Sequence, residues 1–256
     1  MDLERFMGDM DFTFSTKLPF SKTTVNGRQY NIDSEVDILK VLKEDDKKLV
    51  YTNILRLLER HYNIDPVKLY ALPLVDIQWM IKELKSQSDS NILDGLIVKC
   101  GHCGAKQEIK IDLNKITPLN IDNYSKTVIL KSKKDEEVAI VFKHKSIMSY
   151  IDNVLTPTIE DDKLSQEDSD AISMRNLLVE SIDAISDKNG TADLTVYSKE
   201  LLTKLIGKIP RKQKKEVAKF IYDIPRLVYT EEIVCDNADC GKKITPEFND
   251  FFLFLF

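Results

Sequence analysis

Four cysteines, the only ones in the chain, form two close pairs that lie far apart in the sequence. Cys100 and Cys103 enclose a Gly-His dipeptide, whereas Cys235 and Cys240 enclose Asp-Asn-Ala-Asp. Each pair lies on a turn rich in Gly, Asn or Asp and follows a strand-like apolar run. Two such knuckles supply four thiolates at the spacing that a tetrahedral zinc site needs. The sequence therefore predicts one structural Zn²⁺ per chain, with the residues between the pairs forming an insertion in one domain.

A disulfide framework and a thioredoxin-like redox pair are the alternatives to a metal site. Disulfides need an oxidising compartment, but residues 1–5 show neither the basic nor the apolar region of a signal peptide. A redox pair is typical of a βαβ context, which this sequence does not show. His102, between two ligands, is expected to point outward. Four thiolates would close the coordination sphere and leave no position for an activated water, so the metal is expected to be structural.

Composition limits the classes of function. The chain has 256 residues and 43% hydrophobic content, which is enough for the core of one or two domains. Its net charge of −5 gives no general basic character that would favour nucleic acid. There is no apolar run of transmembrane length, so we expect a soluble cytoplasmic protein with no membrane partner. Gly-rich phosphate loops, serine elbows and HExxH motifs are missing from the sequence, so we expect no enzymatic activity.

Hydrophobic periodicity divides the chain into β and helical segments. Asn26-Gly27 predicts the turn of an N-terminal hairpin, and the apolar spacing after Ser34 predicts helices. An apolar run before the first knuckle and strictly alternating residues after it predict a hairpin, and the apolar runs 127–130 and 138–142 predict two more strands. Apolar residues spaced over 172–185 predict an amphipathic helix. The fold class is α+β, a zinc-ribbon-like β module with helical lobes. The predicted segments are an N-terminal β-hairpin (1–33), a helical lobe (34–90), the first knuckle with strands (91–145), a second helical lobe (146–225), and the second knuckle with the C-terminus (226–256).

A basic run between Lys204 and Lys219 holds seven Lys or Arg side chains against the single acid Glu216. One interpretation is a docking face for an acidic partner or for nucleic acid. The other is a solvated helix start that offsets the six acids of residues 160–170. The candidate partner-binding residues of this run are Arg211, Lys212, Lys214 and Lys215.

The C-terminal segment is rich in phenylalanine, with five in residues 248–256. Exposed, such a segment would favour aggregation, so something must cover it. Either it folds back beside the second knuckle, or it docks into a partner. The candidate partner-binding residues are Phe251, Phe252, Phe254 and Phe256.

The order of these motifs is similar to that of a known family. Leu18-Pro19-Phe20 precedes a hairpin, Leu74-Val75-Asp76-Ile77-Gln78-Trp79-Met80 opens a helix that ends in Lys85-Ser86-Gln87-Ser88, and the Cys100–Cys103 knuckle follows. This order resembles the baseplate hub assembly proteins of T-even-like bacteriophages, particularly the small hub subunit and the hub assembly factor. The Phe-rich end after the second knuckle fits the same resemblance.

The resemblance implies a non-enzymatic viral tail assembly protein that acts in the host cell cytoplasm. Such a protein would bind other baseplate hub proteins, and would either remain in the virion tail baseplate or leave after assembly, as a chaperone does. A homo-oligomer is left open. The alternative hypothesis, which rests on the knuckles and the basic run, is a zinc-ribbon nucleic-acid-binding regulatory protein.

Overall fold

The computed structural model describes residues 13–131, 136–153, 175 and 178–244 of the chain. These residues divide into two compact units, of which unit 1 combines Met1–Leu119 with Pro225–Phe256 and unit 2 is Asn120–Ile224. Unit 2 is thus an insertion in the sequence of unit 1. Helices and antiparallel strands occur in both units, which confirms the α+β class. No helix in the described part of the chain combines the length and the apolar character needed to span a membrane.

In the described part of unit 1, a strand pair is followed by helices and then by further short antiparallel strand pairs. Its helices are α1 (Ile32–Leu42), α2 (Lys47–His61), α3 (Pro66–Ala71) and α4 (Leu74–Ser88). Its strands are β1 (Thr13–Lys17), β2 (Thr24–Arg28), β3 (Ile92–Lys99), β4 (Lys106–Asp112), β5 (Ile116–Leu119), β10 (Arg226–Tyr229), β11 (Ile233–Val234) and β12 (Lys243–Ile244). They pair as β1–β2, β3–β4, β5–β10 and β11–β12.

The N-terminal hairpin differs from its prediction at the turn. Strands β1 and β2 pair across a turn at residues 18–23, whereas Asn26 and Gly27 lie inside β2. The predicted Asn-Gly turn is therefore wrong. A Cβ on Gly27 would lie 2.5 Å from Cζ of Phe14 and 2.9 Å from the ring of Tyr62. This glycine is required because the backbone of β2 packs closely against two aromatic rings.

Helix α4 contacts β1, α2 and β10, and it buries polar as well as apolar side chains. The Asp76 carboxylate is fully buried and accepts hydrogen bonds from the backbone N–H groups of Phe20 (2.8 Å) and Ser21 (2.9 Å). Burial raises the pKa of this carboxyl above its usual value, and the two donors offset part of the rise. One turn further along α4, Nε1 of Trp79 donates to Oγ1 of Thr16 at 3.0 Å. These bonds hold the Leu18-Pro19-Phe20 turn and strand β1 against α4.

The β5–β10 pair brings the two ends of the insertion together. Leu119, the last residue before unit 2, pairs with Arg226, just after it, and the ladder continues to Ile116 and Tyr229. Thr230 extends the contact, since its Oγ1 donates to the carbonyl of Lys115 at 2.8 Å. The chain of unit 1 therefore resumes beside the point at which it was interrupted.

Unit 2 is a four-stranded antiparallel sheet, in the order β6-β7-β8-β9, with helices packed on it. Its strands are β6 (Ser125–Lys131), β7 (Glu137–Lys143), β8 (Ile182–Asp187) and β9 (Gly190–Ala192), and its helices are α5 (Ile147–Asn153), α6 (Lys199–Lys208) and α7 (Arg211–Tyr222). The buried side chains of the sheet include Val128, Ile140 and Phe142, and they share one core with Val217 and Phe220 of α7. The strands predicted near residues 127–130 and 138–142 are confirmed.

The helix predicted across residues 172–185 is wrong from residue 182 onward, where the chain forms β8. Ile185 pairs with Ile140, and Ile182 pairs with Phe142, because the register shifts between Val141 and Phe142. Strand β8 has one extra residue at this bulge. Ile182 and Ile185 are therefore three positions apart in β8, although their partners in β7 are only two positions apart. Apolar residues three positions apart usually indicate a helix, but here this spacing results from a bulge in a strand.

We expect Asp76→Ala to lower the free energy of unfolding by about 2 kcal/mol, because two backbone donors lose their acceptor. Asp76→Asn, which keeps one acceptor oxygen, should lose about half as much. The matched control is Asp45→Ala, an exposed carboxylate, which should change stability by less than about 0.5 kcal/mol. Urea unfolding measures all three variants. Equal effects at positions 76 and 45 would show that the buried carboxylate does not anchor the turn.

Candidate metal centre

The first knuckle joins β3 to β4 through a turn that contains Cys100 and Cys103. The N–H of Cys100 donates to the carbonyl of Ala105 at 2.8 Å, and the N–H of Gly104 donates to the carbonyl of Cys100 at 2.8 Å. Gly104 has a φ of 75°, in the left-handed region that glycine adopts without strain. The turn therefore closes immediately after its second cysteine.

The second knuckle repeats this construction with two more residues in the turn. The N–H of Cys235 donates to the carbonyl of Lys242 at 2.9 Å, and Cys240 and Gly241 both donate to the carbonyl of Asn237, at 2.8 and 3.1 Å. Gly241 directly follows the second cysteine, as Gly104 does, and has a φ of 53°. A wider turn thus ends in the same way and presents its two sulfurs to the same point.

The structure brings all four cysteines of the sequence analysis together. Their sulfur atoms all lie within 4.8 Å of one another. The Sγ atoms of Cys100 and Cys240 are 3.8 Å apart, and those of Cys103 and Cys235 are 3.6 Å apart. Four sulfurs at about 2.3 Å from one metal ion occupy a tetrahedron with edges of about 3.8 Å, whereas a disulfide bond is about 2.05 Å long. The spacing fits a tetrahedral thiolate site, and all four cysteines are free.

A small apolar cluster surrounds the sulfurs on one side. Cys100 is 1% exposed and Cys235 is 4% exposed, and Ile244 is buried with them. Val98 and Ile233, from the strands that lead into the two knuckles, pack against this cluster. Cys103 lies on the exposed side. A metal ion would therefore have a low-dielectric surrounding on one side and a path to solvent on the other.

The four thiols do not ionise equally without a cation. The backbone N–H groups of Cys103 and His102 point at the Cys100 sulfur and lower the pKa of its thiol to about 6. At Cys235 the N–H of Asn237 acts in the same direction, but burial and the neighbouring thiols outweigh it and raise the pKa to about 12. The pKa of Cys240 is raised for similar reasons. The Cys100 thiolate forms readily, whereas Cys235 and Cys240 would need a positive charge beside them to ionise.

Gln107, which the sequence analysis did not single out, ties the two knuckles together. Its side chain is buried on β4, where Nε2 donates to the carbonyl of Val234 at 3.0 Å. Its Oε1 accepts from the N–H of Asp236 at 2.9 Å. The amide therefore holds the peptide groups on both sides of Cys235. Only its place at an inward position of β4, next to the knuckle, could have suggested this from the sequence.

None of the three histidine side chains belongs to the cysteine cluster. His102 is exposed on the first knuckle. His61 lies within hydrogen-bond distance of the Arg28 carbonyl and Oγ of Ser34, and burial lowers its pKa. His144, in unit 2, stacks on Phe220, and burial lowers its pKa to about 4. Within the described residues, the cysteine cluster is the one group of His, Cys, Asp or Glu side chains that could hold a metal ion.

The candidate partner-binding residues fall in two parts of the chain. Arg211, Lys212 and Lys215 are exposed at the start of α7, and Lys214 is half-buried there. The four phenylalanines lie outside the described residues, so their prediction is not tested. They are Phe251, Phe252, Phe254 and Phe256.

Comparison with known proteins gives one family. No curated protein and no solved structure matches the chain significantly. The family model described as T4 bacteriophage base plate protein matches residues 10–253. The match includes both knuckles, both units and the segments around Leu18 and Asp76 that carry the resemblance. Because it spans nearly the whole sequence, the chain belongs to the T4 bacteriophage base plate protein family.

Proposed function

We propose that this protein is a non-enzymatic tail assembly protein that binds baseplate hub components and promotes or scaffolds assembly of the hub. The observation that carries the proposal is the family match over residues 10–253. Membership in a baseplate family supports a structural or assembly role. The assignment to the hub goes further and rests on the motif order. In its support, the two segments that carry the motif are joined by the Asp76 bonds to Phe20 and Ser21.

The same proposal assigns a structural Zn²⁺ to Cys100, Cys103, Cys235 and Cys240, one ion per chain. Sulfur ligands in tetrahedral spacing are the set that zinc takes in structural sites. The distances of 3.6 and 3.8 Å between paired sulfurs support this assignment. With four protein ligands the ion would have no open coordination position, which suits a structural role.

The ion would hold together two parts of unit 1 that unit 2 separates in sequence. The first knuckle precedes β5 and the second follows β10, so the metal, Gln107 and the β5–β10 ladder would act on the same junction. Because a four-thiolate site does not exist in the unfolded chain, metal binding would be coupled to folding of unit 1. A rigid unit 1 would then present fixed surfaces to the other hub proteins.

Two segments are proposed as partner-binding elements. The phenylalanines of the C-terminal segment would dock into a hub protein, which would keep them from solvent during assembly. The basic residues at the start of α7 supply a second, electrostatic surface. Assembly would take place in the host cell cytoplasm, and the finished protein would either stay in the tail baseplate or be released.

The test of this function is complementation of a phage that lacks the gene. We expect few or no complete hubs without the protein, and restoration by the full chain supplied from a plasmid. Removal of residues 251–256 should reduce hub assembly by about tenfold if these phenylalanines dock to a partner, since large buried aromatic side chains dominate interfaces. Electron microscopy counts the hubs, and mass spectrometry of purified tails shows whether the protein is retained.

Normal hubs in the absence of the gene would contradict the proposed function. Normal hubs with the trimmed chain would contradict only the role of the C-terminal segment. If late transcripts rather than hubs disappeared, and the purified protein bound DNA or RNA in a salt-dependent manner, the alternative of a zinc-ribbon nucleic-acid-binding regulator would take its place.

We predict one zinc ion per chain in the purified protein, with no reactive thiol until a chelator is added. Cys100→Ser and Cys240→Ser should abolish stoichiometric zinc and lower the free energy of unfolding by about 5 kcal/mol or more, because metal binding is coupled to folding. His102→Ala, an exposed neighbour in the same turn, serves as the control. Elemental mass spectrometry and thermal unfolding give the two readouts. Zero metal together with unchanged melting temperatures would refute the shared site.

We also predict that Gln107→Leu weakens zinc binding by about tenfold, because the peptide groups flanking Cys235 lose their partner. Gln107→Glu retains the acceptor for Asp236 but cannot donate to Val234, and it should have an intermediate effect. Gln87→Leu, on the exposed side of α4, is the matched control. Competition with a chromophoric chelator measures the affinities. An unchanged affinity in Gln107→Leu would mean that this amide does not position Cys235.

A further inference from the structure

Helix α7 carries a row of cations along one exposed face. Arg211, Lys215 and Lys219 lie four residues apart and are all exposed. Residues at this interval occupy one side of a helix, about 6 Å apart along its axis. We call these three residues the basic stripe. Tyr222, one further turn along the same face, is 66% exposed.

The other side of α7 accounts for its packing. Val217, Phe220 and Ile221 are buried in the core of unit 2. The Gln213 side chain reaches the sheet, where Nε2 donates to the carbonyl of Ile129 at 3.3 Å. The basic stripe therefore takes no part in attaching the helix to the sheet.

The acid of α7 and the described acids near the sheet pair with cations outside the basic stripe. Glu216, the only acid of α7, pairs with Lys126 of β6 at 2.9 Å. Sheet lysines have their own acidic neighbours, as in the pair of Lys143 with Asp183 at 2.7 Å. In the part of the chain that the structure describes, no acid pairs with a residue of the basic stripe.

The position of Arg211 and Lys212 is unfavourable for the helix itself. The N-terminal end of a helix carries partial positive charge, so basic side chains in its first turn cost about 0.3–1 kcal/mol each. Helix α7 begins at Arg211 and Lys212, has no acid in its first turn, and follows Pro210, which offers no side-chain cap. The stability of the helix therefore does not explain why cations are concentrated at the start of α7. A ligand that neutralises these cations would explain it.

We propose that the basic stripe is a docking surface for an acidic segment of a protein partner. Carboxylates on alternate residues of an extended segment repeat at about 6.6 Å, close to the spacing of the cations. The residues Lys199–Tyr222 hold eight basic and two acidic side chains in a chain of net charge −5, so the remainder is strongly acidic. That remainder would repel a long nucleic acid more than a short acidic segment. This proposal rests on the proposed function in one respect, because it takes the partner of the basic stripe to be a protein.

The test measures binding of a fluorescently labelled peptide in which Glu and Ser alternate over about 16 residues. The full chain is compared with the triple variant Arg211→Glu, Lys215→Glu, Lys219→Glu. A control triple, Lys17→Glu, Lys68→Glu, Lys188→Glu, makes the same change in net charge at exposed lysines elsewhere. Arg211→Glu suits the helix dipole in the first turn and Lys219→Glu opposes it in the last turn, so the two effects offset and the stripe variant should fold about as well as the parent.

We expect the stripe variant to bind the peptide at least about tenfold more weakly and the control triple to change affinity by less than about twofold. Affinity for the parent should fall as salt is added. Equal losses in the two variants, or no binding to the parent at about 100 µM peptide, would overturn the proposal.

Two further arms identify other occupants. Tighter binding of an oligothymidylate of the same net charge would overturn the proposal in favour of nucleic acid. A variant with the six acids of residues 160–170 changed to Asn or Gln should bind the peptide as the parent does. An affinity about tenfold higher would mean that the chain's own acidic segment occupies the surface. Hub complementation is scored separately, so failure of the assembly function and failure of peptide binding are distinguishable.

Discussion

The convergence of two short turns from opposite ends of an insertion is the constraint on which unit 1 depends. The first knuckle precedes unit 2 and the second follows it, yet the four sulfurs lie within 4.8 Å of one another. One thiol ionises readily in this cluster, and the pKa values of Cys235 and Cys240 are raised. A cation resolves this conflict because it stabilises all four thiolates together. Gln107 and the β5–β10 ladder contribute directional contacts at the same junction, so a metal ion bound there would not act alone.

Buried polar groups have a comparable role in the N-terminal half of unit 1. Asp76 and Trp79 of α4 bond to the Leu18–Ser21 turn and to β1. Hydrophobic contacts alone would allow a short hairpin to slide along a helix, whereas a carboxylate with two backbone donors allows one position. The segments that suggested the family from the sequence are those that these bonds hold together. Their order along the chain thus has a structural reason as well as a diagnostic one.

In unit 2, the apolar face of α7 packs in the core, whereas its basic stripe takes no part in that packing. The sheet and helices α6 and α7 share one apolar core, and most of the sheet lysines lie beside acids. Helix α7 begins with Arg211 and Lys212, where the helix dipole disfavours cations, and its basic stripe extends to Lys219 in the last turn. This arrangement would suit the proposed assembly role, because charges that are already paired in the free protein would contribute little to binding a partner.

The sequence by itself determined the features that depend on local spacing. The cysteine intervals predicted the knuckles, alternation predicted β4, and apolar runs predicted β3, β6 and β7. Tertiary structure decided what depends on contacts between distant residues. Position 27 of β2 requires glycine because Phe14 and Tyr62 leave no space for a Cβ, and a bulge allows Ile182 and Ile185 of β8 to lie on the same face of the sheet. Gln107 can hold the peptide groups around Cys235 only because the fold places Val234 and Asp236 beside it. Local patterns report the conformation of a segment, but the neighbours that a folded chain supplies are not encoded in the spacing of that segment.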